Sequence, residues 1–388
     1  MSFPDGGDRL ASEFVRLCEF ESPSRREQEV GRYVRDELDG LGLGVEEDAS
    51  PAETGSQIGN LLVRIAGPPG APVILFCAHL DTVPLAAAVE VEERNGFFVN
   101  RNEAILGADN KAAVVVLLEL ARRLVRDPPP IGVELLFTTC EELALLGAKA
   151  FDIASLSARF GFVFDHASPI GELILAAPSY YRLQARLHGR AAHAGVRPED
   201  GHNAIAAAAA GIASLRLGRI DAETTANVGT IGGGSAPNVV AEHCVVELEA
   251  RSLDHERAGA LVSEMVDSFT AAATDAECDL EVVAEELFRA YSLPRSCEPV
   301  RIAAAALESC GIEPVYVSTG GGSDANVFNL AGLPTVNLAN GTERNHQPDE
   351  RVSRDALERM LEVAVALVRT AGIECRPAWP GADGNDTR

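Results

Sequence analysis

Val73-Ile74-Leu75-Phe76-Cys77-Ala78-His79-Leu80-Asp81 is an apolar run that closes on an imidazole and, two residues later, a carboxylate. The same design recurs downstream. Val133-Glu134-Leu135-Leu136-Phe137-Thr138-Thr139-Cys140 closes on Glu141 and Glu142, and Phe162-Val163-Phe164 closes on Asp165. Each run reads as a strand. In an open parallel sheet, ligands bind beyond the carboxyl ends of the strands. The pattern therefore aims one imidazole and several carboxylates at a single rim.

The segments around these runs supply the rest of an α/β pattern. Leu10–Phe20 and Gln28–Leu41 read as amphipathic helices, Asn60–Ile65 as a further strand, and Asn110–Val125 as a long helix stopped by Pro128-Pro129-Pro130. Strands that alternate with helices predict a mostly parallel sheet with helices on both faces. The pattern changes after residue 178. Strand Tyr180–Leu187, helix Asn203–Leu217, strands Thr225–Ile231 and Val239–Arg251, helix Asp254–Ala273 and strand Leu280–Phe288 follow in the order of a ferredoxin-like split unit. The α/β pattern then resumes with helix Cys297–Cys310, strand Pro314–Val317, helix Ser323–Leu330, strand Thr335–Leu338 and helix Arg354–Thr370. The expected organisation is a first domain over 1–178 and 292–375 with an inserted α+β domain over 179–291. Residues 376–388 are expected to form a flexible tail rich in Pro, Gly and Asp, which includes Trp379.

Composition narrows the function. A net charge of −25 argues against a polyanionic partner, so no nucleic acid is expected. Eight cysteines lack CxxC spacing, and several sit inside apolar runs, as free thiols in a reducing compartment do. Residues 1–9 carry no basic, apolar leader, and the Ala-rich stretch 204–213 is too short to span a bilayer. The expectation is a cytoplasmic protein with no membrane segment.

Taken singly, the polar residues at the rim have ordinary explanations. Asp109, where a loop enters a helix, reads as an N-cap, and Asp165 as a turn former. His79 and Asp81 face one side of an extended chain, so Asp81 can steady a ligating His79. Of the adjacent Glu141 and Glu142, one can hold a metal while the other moves protons.

Together the segments Cys77-Ala78-His79-Leu80-Asp81-Thr82-Val83-Pro84, Gly107-Ala108-Asp109-Asn110-Lys111, Glu141-Glu142-Leu143-Ala144-Leu145-Leu146-Gly147-Ala148 and His346-Gln347-Pro348-Asp349-Glu350 resemble those of the M20 metallopeptidases. That family of dizinc hydrolases includes peptidase T, carboxypeptidase G and the succinyl-diaminopimelate and acetylornithine deacylases. The resemblance covers about residues 8 to 372. It implies two divalent metal ions, zinc first, with manganese or cobalt as alternatives. His79 and Asp165 would hold one ion, Glu142 and His346 the other, and Asp109 would bridge both, with a cis bond to Asn110. Glu141 would be the general base and Asp81 a catalytic support for His79.

The inserted domain resembles the family's lid and dimerisation domain. His193, in Gly189-Arg190-Ala191-Ala192-His193-Ala194-Gly195, would donate to the oxyanion, from the same chain or from a homodimer partner. Asn238 and Arg251 resemble substrate-binding residues, and the loop around Gly321 would line the cleft. His166, beside Asp165, departs from the small residue that many relatives carry there. Four other histidines, His188, His202, His243 and His255, match nothing catalytic.

Ile174-Leu175-Ala176-Ala177-Pro178-Ser179 and Gly322-Ser323-Asp324-Ala325-Asn326-Val327-Phe328-Asn329 place the resemblance in the peptidase T-like branch. That implies release of the N-terminal residue from tripeptides or other short peptides. Two alternatives remain open on the residues alone. One is a carboxypeptidase or N-acyl-amino-acid deacylase of the same chemistry. The other is a non-catalytic metal-binding protein of the same fold.

Overall fold

The opening run forms the strand Val73–His79, which pairs in parallel with Gly132–Thr138 on one side and Ala158–His166 on the other. Thr335–Ala339 extends the parallel block beyond Ala158–His166. Antiparallel strands flank it, Leu61–Ile65 on Gly132–Thr138 and Glu172–Ala177 on Thr335–Ala339. The sheet is thus parallel at its centre and antiparallel at its margins. Because the central strands share one direction, His79, Thr138 and Asp165 reach the same rim. The computed structural model describes residues 6–375. Residues 1–5 and the expected tail over 376–388, Trp379 included, lie outside the described residues.

Phe76, Phe162 and Phe164 fill the sheet's interior. The Phe76 ring centroid lies 5.5 Å from that of Phe162 and 6.4 Å from that of Phe164. Such pairs add about 0.5–1.5 kcal/mol beyond simple burial. Helix Ala108–Arg126 packs against this sheet and is covered in turn by helices Gly6–Glu19 and Arg354–Glu374. It is buried almost all round, from Ala112 to Leu118 without a break, as a helix apolar on every face must be. Its first turn is broken: Asp109 and Asn110 have non-helical backbone angles, and the bond between them is cis.

A four-stranded sheet has no counterpart among the expected elements. It consists of Thr342–Glu343, Arg351–Ser353, Phe97–Asn100 and Val91–Arg94. The last two form a hairpin turned by Asn95 and Gly96, both at positive φ (52° and 80°). Asn-Gly is the pair that a two-residue type I′ turn demands, so this hairpin had a local signal. The other two strands are too short to show a period. Their pairing leaves residues 344–350 as a loop that begins and ends in the same small sheet.

The chain folds into two compact units. One comprises residues 6–175, 293–318 and 323–375, and the other 176–292 and 319–322. The second unit is an antiparallel sheet in the order Gly218–Arg219, Thr224–Gly233, His243–Ser252, Ser179–His188, Asp279–Phe288. Setting aside the two-residue edge strand, this is the strand order of the ferredoxin-like unit. Helices Ala204–Ser214 and His255–Asp275 cover one face, with Leu183, Leu187, Val246, Leu248, Met265 and Phe269 between. Asn203 and Asp254 cap the two helices by accepting backbone N–H groups of their first turns. The first helix ends at Ser214 and not at Leu217, because the chain turns through Gly218 (φ 78°) into the edge strand. The strand expected from Val239 begins at His243, since Val239 pairs instead with His193. Among the described residues, no helix is long and apolar enough to cross a membrane.

Candidate metal centre

The parallel rim, the broken helix start and the 344–350 loop bring six polar side chains together. His79, Asp109 and Asp165 form one group, and Asp109, Glu142 and His346 another, each with ligand atoms within 4.8 Å of one another. Asp109 belongs to both. His79, Glu141 and Glu142 lie within the same distance of one another. Glu141 alone is absent from both groups built on Asp109.

His79 is oriented by its own strand end. Its Nδ1 lies 2.9 Å from the backbone oxygen of Asp81, to which a protonated Nδ1 donates. That leaves Nε2 facing carboxylate oxygens, 3.3 Å from Asp109 Oδ1 and 3.6 Å from Asp165 Oδ1. On the other side of the centre, His346 Nε2 lies 2.9 Å from Glu142 Oε1 and 3.4 Å from Asp109 Oδ2. His346 sits at a positive φ of 63°, in a loop otherwise tied to Asp109 by Asn345, whose Nδ2 donates to Oδ2 at 2.7 Å. The Asp109 carboxylate faces these groups and makes no capping bond to the helix, so the N-cap reading does not hold.

The acids are held from behind. Asp81 is fully buried, and its carboxylate accepts the backbone N–H of Glu141 (2.9 Å) and of Glu142 (3.1 Å) and the Ser24 hydroxyl (2.6 Å). Its contact with His79 runs chiefly through the main chain, since its Oδ1 lies 3.5 Å from Nδ1. Glu27, also buried, accepts the Cys140 N–H at 3.1 Å. Asn337 grips the Asp165 backbone twice, accepting its N–H and donating to its carbonyl.

Asp324, the first residue of helix Asp324–Leu330, is a buried acid that received no role from the sequence motifs. Its Oδ2 accepts the Thr138 hydroxyl at 2.6 Å, and its Oδ1 has no hydrogen-bond partner. Burial raises its pKa to about 6, with the Thr138 bond and the charge of His79 working against that. Nothing local marked it, because both the burial and the bond come from a strand 186 residues away. His166 turns from the rim: its Nε2 lies 3.6 Å from Glu172, and burial lowers its pKa.

The electrostatics fit a cation site. Burial pushes the Glu141 carboxyl well above its usual range, and the Asp165 charge adds to this. Burial, then Asp109, raises Asp165 to about 8. Asp109 moves the other way: burial works against its charge, but the nearby imidazoles of His346 and His79 overcome it. Bonds to Asp109 and Glu142 raise His346 to about 10. In effect, protonated imidazoles supply the positive charge that this acid cluster needs. Asp109 Oδ1 is buried and makes no hydrogen bond, although His79 Nε2 is 3.3 Å away. A cation between the two atoms would use both lone pairs. Carboxylate and imidazole donors that run from the buried His79 to the half-exposed His346, with such an orphan oxygen among them, are a donor set for Zn²⁺ or a similar divalent ion.

The remaining expected site residues lie on the second unit. His193 is exposed, and its Nδ1 accepts the Gly195 N–H at 3.2 Å. Asn238 is its neighbour, since the Ala194 N–H donates to the Asn238 carbonyl. Arg251 stacks over the Tyr180 ring at 4.0 Å and donates to the Gly320 carbonyl (3.0 Å) and to Glu249 (3.2 Å). Gly321 follows in the same loop, its N–H donating to the Thr319 hydroxyl. His193 with Asn238 and Arg251 with the 319–322 loop thus form two separate groupings by these contacts.

Comparison with known proteins gives this geometry a setting. The sequence profile of peptidase family M20/M25/M40 matches residues 75–370. An uncharacterised protein of Bacillus subtilis, YqjE, is 36% identical over 94% of this chain and 98% of its own length. The structure of aminopeptidase PepT from Bacillus cereus superposes with a TM-score of 0.86, at 35% identity, covering 94% of this chain and 99% of that one. The structure of a tripeptidase from Staphylococcus aureus gives a TM-score of 0.91 at 30% identity, covering 95% and 99%.

Proposed function

The chain belongs to peptidase family M20/M25/M40, in its peptidase T-like branch, and we propose that it is a dimetal exopeptidase that releases the N-terminal residue of tripeptides and other short peptides. That it is a hydrolase acting on peptides follows from the family. The finer reading is carried by one observation: two candidate ligand groups share Asp109 and leave Glu141 outside both.

His79 and Asp165 would hold one divalent ion, Glu142 and His346 the other, and Asp109 would bridge them. Zinc suits these donors best, with manganese or cobalt as alternatives. Ions bound there would acidify a water and polarise the scissile carbonyl. Glu141 accepts the proton of the attacking water and delivers it to the departing amine. Its burial favours this, because a carboxylate that resists ionisation is a competent proton carrier near neutral pH. Asp81 keeps Glu141 and Glu142 in place through their backbones. His193 is the proposed oxyanion donor, and Asn238, Arg251 and Gly321 the proposed substrate contacts. A cytoplasmic setting belongs to the same reading, supported by eight unpaired cysteine thiols.

Arg251 bears on which peptide end is read. Both its terminal nitrogens already donate, to Gly320 and Glu249. Each of these nitrogens keeps a second N–H, and the Nε–H has no partner among the described residues, so Arg251 retains donors for a substrate carboxylate. The reading of a free amine is supported instead by the likeness to the aminopeptidase and the tripeptidase. A panel of di- and tripeptides with free or blocked ends, assayed with Zn²⁺, Mn²⁺ or Co²⁺, tests the proposal. Cleavage should require a free N-terminus and tolerate an amidated C-terminus. Cleavage of N-acylated substrates with a strict need for a free C-terminus would overturn it in favour of a carboxypeptidase or deacylase.

A further inference from the structure

Glu350 is 1% exposed, yet its carboxylate is fully engaged by backbone 241–244 residues away. Its Oε2 accepts the N–H groups of Leu106 and Gly107, both at 2.8 Å, and its Oε1 accepts the N–H of Asp109 at 2.9 Å. Hydrogen bonds to an ionised acceptor are roughly twice as strong as neutral ones. These three converge on the turn that presents Asp109, where Gly107 takes a left-handed φ of 75°.

Glu350 closes the loop that carries Asn345 and His346. That loop has two left-handed non-glycine residues, Arg344 (φ 59°) and His346 (φ 63°). Asn345 holds the Asp109 side chain at 2.7 Å, and His346 Nε2 lies 3.4 Å from it. One short loop therefore grips Asp109 from its backbone side through Glu350 and from its carboxylate side through Asn345 and His346.

We propose that Glu350 is a positioning residue for the metal centre, locking the Asp109 turn to the His346 loop so that the shared carboxylate and the distal imidazole are set together. This rests on the dimetal reading above. It gives Glu350 no contact with substrate or with the reacting atoms. Groups that orient metal ligands in this way typically change metal affinity or activity by about 10–100-fold when altered.

Glu350→Gln separates positioning from bulk. The Gln carbonyl oxygen can still accept from Leu106 and Gly107, but its NH₂ then meets the Asp109 N–H, donor against donor. A matched control is Glu134→Gln. Glu134 is as buried, and also holds a backbone turn by accepting from Ser157 and Ala158, but it sits at the other end of its strand from Glu141. In the full-length protein, zinc affinity is measured by chelator competition, kcat and KM on a tripeptide, and the melting temperature of the zinc-stripped form. Glu350→Gln should lose about 10–100-fold in zinc affinity, with a matching fall in kcat at fixed zinc and KM within about twofold. Glu134→Gln should lower the melting temperature without moving zinc affinity. A folded Glu350→Gln protein with wild-type zinc affinity and kcat would overturn the proposal. So would equal zinc loss in both variants, which would make Glu350 merely structural. Failure of the wild-type protein to bind zinc would overturn the dimetal reading along with this one, whereas wild-type binding that Glu350→Gln leaves unchanged overturns only this one.

Discussion

The carboxylate of Asp81 accepts the backbone N–H of Glu141 at 2.9 Å, across 60 residues of sequence. With its second oxygen it takes the N–H of Glu142 as well. The acid proposed to carry the proton and the acid proposed to hold a metal are thus set by a third acid that is itself fully buried.

Asp81→Asn should therefore act on rate through geometry. An amide offers one acceptor oxygen, so one of the two backbone bonds is replaced by a donor facing a donor. The His79 bond runs to the Asp81 main chain and survives the change. The expected result is a fall in kcat of about 10–100-fold with the fold retained. Steady-state kinetics on a tripeptide would settle it, and an unchanged kcat would show that the Glu141 turn holds itself.

Glu141→Ala removes the proton carrier but none of the five proposed ligands. Hydrolysis should drop by about 10²–10⁴-fold or more, the range of general acid–base contributions. Metal content, measured by elemental analysis of the purified variant, should stay at the wild-type level. Loss of an ion in this variant would instead make Glu141 a ligand, the role that its grouping with His79 and Glu142 allows on distance alone.

Much of this candidate site was legible because several of its proposed ligands follow a local rule. His79, Glu142 and Asp165 lie at or just beyond the ends of strands, and an apolar run closed by an acid or imidazole can be read from neighbours in the chain. The supports could not be read that way. Asp81 bonds across 60 residues, Glu27 across 113 and Glu350 across more than 240, and each of these carboxylates is ordinary in its own segment. Asp324 sat in a quoted motif, but its burial against Thr138 is a tertiary fact. The small sheet divides the same way: the Asn95-Gly96 hairpin carried a recognisable turn, whereas Arg351–Ser353 is a strand only because it meets that hairpin, and Thr342–Glu343 only because it meets Arg351–Ser353.

Away from the rim, Arg122 should matter to stability alone. Its guanidinium donates to both oxygens of Glu13, at 2.5 and 2.6 Å, and to Glu37 at 2.6 Å, with the Arg122 and Glu13 side chains only 9% and 6% exposed. Arg122→Leu leaves the buried Glu13 carboxylate without its cation, the Tyr33 hydroxyl still donating to it at 3.0 Å. The expected cost is about 3–5 kcal/mol in urea unfolding, with metal stoichiometry unchanged in the folded protein. A loss under about 1 kcal/mol would show that the network is solvated well enough to dispense with its cation.

The central claim is that Asp109 is shared between two metal ions, and counting ions per chain tests it most directly. Elemental analysis of zinc-reconstituted protein should give two ions per chain for the wild type. Asp165→Ala should keep one, in the group of Asp109, Glu142 and His346, and Asp109→Ala should keep neither at the concentrations that saturate the wild type. One ion per chain in the wild type, or two retained in folded Asp109→Ala, would contradict the account.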